Sequence, residues 1–140
     1  MKFRKLTVLT VLGVLLLTSV GTNVAQGSIG DRDASRIDSG LHYFHSPMYG
    51  YGKTIVKYAR QFGINPYVII GIAGEESTLG KFRCQYNPFG YKFNNGYCVF
   101  SSFSEAIYYE AKLLGSKLYK GKSVDEIAQT YCGCDNYQQW

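Results

Sequence analysis

The chain has 140 residues and four Cys, with 15 Lys and Arg against 10 Asp and Glu, for a formal net charge of +5. That length holds one small domain, and a hydrophobic share of 46% is enough to give it a core. Three of the positive charges, Lys2, Arg4 and Lys5, precede an apolar run; without them 12 basic residues face 10 acidic ones, a net +2, which speaks against a nucleic-acid partner and at most for an anionic polymer or cell surface.

The basic start, the apolar run from Leu6 to Val20 and the small residues Gly21 and Ala25 read as a secretory signal peptide over residues 1–25. The run is shorter than the roughly 20 residues of a membrane span, so cleavage is expected rather than a stable anchor. No Cys stands near the cleavage region to carry a lipid. The expected location is therefore extracellular or associated with a cell wall. Residues 26–46, rich in Ser, Gly and Asp, read as a polar linker or arm, and residues 47–140 as the folded domain.

Within that domain Ser46-Pro47 has the form of a helix cap followed by Pro at the first helical position. Tyr51, Ile55, Tyr58, Ala59 and Phe62 then recur at helical spacing, and Gly63 supplies a C-terminal cap. Asn65-Pro66 repeats the start signal. The next helix is expected to reach about Leu79, with Gly80 closing it. This helix is apolar nearly all round and is expected to be central and buried. Residues 81–101 lose the helical period; Tyr91–Phe93 and Tyr97–Phe100 flank Asn94-Asn95-Gly96 and predict a short hairpin. Ser102 to Glu105 has the capping-box pattern ahead of a helix bearing Ile107, Ala111, Leu114 and Leu118 on one face. Ser123 to Glu126 is a second such box, opening a short helix to about Thr130, after which the tail is irregular and aromatic. The sum is a mainly α domain with one small hairpin or loop lobe.

The chemistry concentrates at Glu75-Glu76, two carboxylates inside the apolar stretch Val68 to Leu79. Burial disfavours an ionised carboxylate and raises its pKa, which is what a general acid needs. Periodicity does not choose between the two. The cysteines, Cys84, Cys98, Cys132 and Cys134, form an even set in a small exported chain, which predicts disulfides. Three pairings exist. Cys84–Cys98 would leave a cramped ring at Cys132–Cys134, so geometry favours the two crossed pairings, each bond stabilising by about 3 kcal/mol. A zinc site from His42, His45, Cys132 and Cys134 has the wrong Cys spacing for a common zinc motif, and no metal or other cofactor is expected.

These segments together resemble the lysozyme-like superfamily of bacterial cell-wall glycosidases, and within it the glucosaminidase-type domain of glycoside hydrolase family 73. The resemblance rests on Glu76-Ser77-Thr78-Leu79-Gly80, on Asn87-Pro88-Phe89-Gly90, on Phe100 to Ala106 as Phe-Ser-Ser-Phe-Ser-Glu-Ala, and on Ala128 to Tyr131, in order over roughly residues 47 to 132. It implies a lysozyme-like fold and a monomeric enzyme acting on peptidoglycan, with Glu76 rather than Glu75 as catalytic acid. It implies a groove tyrosine at Tyr131. Tyr86, Asn87, Phe89 and Tyr91 are further candidates for holding the glycan, the rings by packing on sugar faces and Asn87 by an acetamido contact. Asn87 has the alternative of a turn residue before Pro88, and Phe89 that of a core residue. The pattern departs from family members that carry a second acid in the loop lobe, since residues 77–104 contain no Asp or Glu. Glu105 reads as a helix cap, and Glu110, Asp125 and Asp135 as solvated charges. The expected chemistry is therefore a single-Glu mechanism completed by the substrate's own N-acetyl group or 6-hydroxyl. Two alternatives remain, a lytic transglycosylase and an inactive glycan-binding domain.

Overall fold

The computed structural model describes residues 29–82, 84, 86–92 and 100–133. The chain divides into two compact units, Met1–Arg32 and Asp33–Trp140. Five helices are present and no strand occurs among the described residues: α1 over residues 29–43, α2 Gly52–Phe62, α3 Pro66–Ser77, α4 Phe103–Leu114 and α5 Val124–Cys132. The expected hairpin (residues 91–100) and the signal peptide (residues 1–25) fall wholly or mostly outside the described residues. No described helix is long and apolar enough to cross a membrane.

The first correction concerns residues 26–46. From Asp33 onward this stretch belongs to the second unit as the body of α1, and Ala34, Ile37 and Leu41 are buried in its core. Spacings of three and four residues put these three on one helical face. Polar residues around them outnumber that stripe, and for this reason the composition suggested a linker. Asp38 fixes α1 to the Gly50–Gly52 turn, its Oδ1 accepting the backbone N–H groups of Gly50 (3.0 Å) and Gly52 (2.8 Å). The start of α2 is corrected with it. The helix begins at Gly52, while Ser46 caps a preceding turn, accepting from Met48 N–H and donating to the Leu79 carbonyl at 2.7 Å.

Gly52 allows α1 and α2 to approach this closely. A Cβ there would run into the Ala34 carbonyl oxygen and sit 2.8 Å from Asp38 Cγ. Gly to Ala in an open helix gains about 1 kcal/mol, but a backbone carbonyl cannot step aside cheaply, and overpacking costs about 1–3 kcal/mol. Gly52→Ala is therefore expected to be net destabilising, seen as a lower urea midpoint at unchanged slope. An unchanged or raised midpoint would contradict this close approach.

The other elements follow their sequence signals more closely. Gly63 caps α2 in the left-handed region (φ 69°), and Asn65 Oδ1 accepts from Tyr67 N–H to open α3. At α5 both halves of the capping box form between Ser123 and Glu126. At α4 Ser102 accepts from Glu105 N–H, but the Glu105 carboxylate reaches one residue further back, to the N–H and hydroxyl of Ser101 at 2.7 Å each. Those bonds hold its carboxyl below the usual range. The core is built where α2, α3 and α4 meet, from Ile55 and Ala59, from Ile69, Ile72 and Ala73, and from Ala106, Ile107, Ala111 and Leu114. Tyr108 of α4 meets Tyr58 and Phe62 of α2 edge-on. Leu118 lies beyond the end of α4 and is exposed rather than part of its buried face.

Candidate active site

Helix α3 delivers Glu76 in its last turn. Glu75 beside it faces solvent, whereas Glu76 is half-buried. The helix ends two residues earlier than its apolar pattern suggested, because Thr78, Leu79 and Gly80 all take left-handed backbone (φ 51°, 59° and 86°). Thr78 N–H and Leu79 N–H then satisfy the carbonyls of Gly74 and Ala73. A β-branched residue at positive φ is uncommon, and the surrounding bonds must hold it there.

Ser77 is the principal fastener. Its buried hydroxyl accepts the Gly80 N–H at 2.7 Å and lies 2.7 Å from the Pro88 carbonyl and 3.0 Å from the Ala73 carbonyl. The end of α3 is thereby tied to the Asn87-Pro88-Phe89-Gly90 loop. Asn87 closes that loop on itself, its amide donating to the Tyr91 carbonyl (2.8 Å) and accepting the Tyr91 N–H (3.1 Å). Asn87 is fully buried, so the structure places it as a loop clasp rather than on a surface where an acetamido group could lie. Phe89 is likewise buried, at 2% exposure, which is the core place weighed for it beside a sugar contact.

Gly90 completes the arrangement. Its φ is 67°, and a Cβ built on it would collide with Glu76 Oε2 and stand 3.3 Å from Glu76 Cδ. The Glu76 carboxyl thus rests on the bare Cα of Gly90. Two motifs that are separate in the sequence are one site in space.

Beneath this seat lies a residue that the sequence reading misjudged. Glu110 of α4, expected to be a solvated charge, is 0% exposed. Its Oε2 accepts from the Tyr91 hydroxyl at 2.8 Å and from the Tyr131 hydroxyl at 3.2 Å, and its Oε1 has no hydrogen-bond partner among the described residues. Burial pushes its carboxyl up to about 7 against the pull of the two hydroxyls, and the charge of Glu76 adds to the rise. Burial, and then the charge of Glu110, raise both phenols well above their ordinary range, so each remains a donor. Glu110 follows Ala106 and Ile107 and precedes Leu114 at helical spacing, so its place on the apolar face was visible. Its partners, in a distant loop and in α5, were not.

The remaining candidates find their places around this group. Tyr131 lies within α5, not in an irregular tail, and its hydroxyl also approaches the Phe89 carbonyl at 3.2 Å. Tyr91 packs edge-on against Phe100, and Tyr86, at φ 70°, against Phe103. The hydroxyls of Tyr91 and Tyr131 both point at protein rather than outward to a sugar. Asp125 is exposed in the first turn of α5, and Asp135 lies outside the described residues. Cys84 and Cys132 are each disulfide-bonded, so Cys132 offers no thiolate to a metal; Cys98 and Cys134 lie outside the described residues. Compared with protein-family models, with curated proteins and with solved structures, the chain matches none.

Proposed function

We propose that this chain is a secreted, lysozyme-like peptidoglycan glycosidase of the endo-β-N-acetylglucosaminidase type, with a small loop lobe facing the glycan and Glu76 as its general acid. The observation that carries the reading is the seating of the Glu76 carboxyl on Gly90 while Ser77 clasps Pro88. The four-residue loop and the carboxylate that the resemblance pairs in function are joined by direct contact. Glu75, exposed on the neighbouring helix face, has no such seat.

In this role Glu76 protonates the glycosidic oxygen as the C1–O bond breaks, since the leaving alkoxide is otherwise a poor leaving group. The positive charge left on the sugar ring requires a nucleophile. Glu110 cannot serve, being fully buried and beyond reach of a bound sugar. The mechanism therefore draws on the substrate. Its acetamido oxygen closes on C1 and the resulting ring is opened by water, or its 6-hydroxyl closes on C1 to give a 1,6-anhydro end; in either case the proton lost by the attacking hydroxyl or water returns to the Glu76 carboxylate. Tyr86 and the ring faces of Tyr91 and Tyr131 are the candidate glycan contacts.

The mature protein incubated with purified peptidoglycan is expected to release soluble fragments whose new ends name the bond cut. Mass spectrometry separates reducing GlcNAc, reducing MurNAc and 1,6-anhydro ends. Release of none of these would leave an inactive glycan-binding domain as the better reading, which the full burial of Glu110 also suits. Gly90→Ala is expected to slow release by about 10²-fold, because the new methyl group must push the Glu76 carboxyl off its seat. Gly63→Ala is the matched control, an exposed position with the same left-handed backbone (φ 69°) and nothing within 4 Å of the new carbon, so it carries the backbone strain without the contact to Glu76. It should keep the wild-type rate. Equal rates in both variants would remove the seat from the mechanism.

A further inference from the structure

We infer that Glu110 is a positioning residue for Glu76: in its protonated form it turns the Tyr131 hydroxyl onto the Phe89 carbonyl and so pins the peptide that leads into Gly90. Its importance to catalysis rests on the reading of Glu76 as the general acid, whereas the pinning itself does not.

A count of protons carries the inference. The Tyr131 hydroxyl lies 3.2 Å from Glu110 Oε2 and 3.2 Å from the Phe89 carbonyl oxygen. Both partners are acceptors when Glu110 is ionised, and a phenol has one proton to give. The charged oxygen then takes it, and the Phe89 carbonyl loses its donor. With a proton on Oε2 the order reverses. Glu110 donates to the Tyr131 oxygen, and Tyr131 donates to the Phe89 carbonyl. Tyr91, 2.8 Å away, continues to donate to Oε2 in either state. The next residue after Phe89 is Gly90, against which Glu76 rests.

The surroundings favour the protonated form. Among the described residues, the titratable groups acting on Glu110 are Tyr91 from the loop, Tyr131 from α5, Tyr119 from the segment after α4, and Glu76 from α3. None of these supplies a positive charge. An ionised carboxylate would be buried with one oxygen, Oε1, lacking any partner among the described residues, the costly way to bury a charge. Because burial brings the carboxyl to about 7, the switch falls near neutral pH. Glu110 itself touches no solvent, and its hydrogen-bonded route to the Phe89 carbonyl runs through Tyr131.

The test follows the Gly90 amide by ¹H–¹⁵N NMR in Glu76→Gln, a background in which residue 76 no longer titrates. Between about pH 5 and about pH 9 the Gly90 signal is expected to move with one midpoint, somewhat below 7 because the charge of Glu76 is gone. Adding Glu110→Gln should abolish the titration, since an amide does not ionise in this range. Adding Tyr131→Phe should abolish it as well, since the ring keeps its place without the proton. A Gly90 signal flat across the range in the Glu76→Gln parent would overturn the inference. So would a titration that persists in Glu110→Gln or, should that variant fail to fold, in Tyr131→Phe. Full peptidoglycan cleavage by Glu76→Gln would remove the catalytic reading while leaving the Gly90 titration in place, so the two proposals fail separately.

Discussion

Glu76→Gln is expected to lower the rate of peptidoglycan cleavage by roughly 10³-fold, the scale of a lost general acid. Gln matches Glu in size and keeps a carbonyl oxygen for the contact with Gly90, but it has no proton to pass to the leaving oxygen. The fold should tolerate the change. Glu76 is half-buried, and its charge works against that of Glu110, so unfolding by urea should shift by no more than about 0.5 kcal/mol. Glu75→Gln, on the exposed neighbour, is expected to keep the wild-type rate. Comparable losses in the two variants would show that charge near the end of α3, rather than a proton donor at one position, supports activity.

The second large effect is on stability and arises from Glu110. Its carboxyl sits at about 7 in the folded chain, against an ordinary value of 4.5. Below 4.5 both states hold the proton and the contribution to stability is complete. As pH rises from 4.5 the unfolded chain releases the proton while the folded chain retains it, so stability falls until the folded carboxyl ionises near 7. A shift of this size corresponds to roughly 3 kcal/mol. The lowered carboxyls, Glu105 and Glu126, act with the opposite sign, losing stability as pH falls through their own lower range, and so fall in a separate window. Urea unfolding at about pH 5 and about pH 8 should therefore show the wild type weaker at the higher pH. In Glu110→Gln that decline should vanish. Parallel pH dependences in the two proteins would mean that Glu110 ionises in the fold as readily as in the unfolded chain.

The parts of the site that were legible in the sequence are those written in local signals. Asn65-Pro66, Gly63 and the Ser123–Glu126 box each act within a turn of helix, and the chain obeys them. The pairing of Glu76 with the Asn87–Gly90 loop was legible only through the family pattern, because no local rule links a helix end to a loop more than ten residues on. What α1 contributes was hidden by its composition. Three apolar residues suffice to dock a helix, yet Asp31, Asp33, Ser35, Asp38 and Ser39 dominate the stretch and suggest solvent.

Asn87 and Glu110 show why polar residues were harder still. A side chain that binds its own loop and one that binds a ligand use the same atoms, so Asn87 looked equally suited to either. Glu110 occupies an apolar helix face, where a single carboxylate reads as a solvated charge until its partners are known. Those partners, Tyr91 and Tyr131, stand 19 residues before it and 21 after it. The same tertiary contacts turned two candidate sugar-binding phenols into the donors that hold a buried acid.

The most direct measurement treats purified peptidoglycan with the wild type and with Glu76→Gln side by side and counts new glycan ends by mass spectrometry. The prediction is abundant ends of a single chemical type from the wild type and almost none from the variant. Equal numbers of ends from both proteins, or none from the wild type under any condition, would contradict the assignment of Glu76 as the catalytic acid.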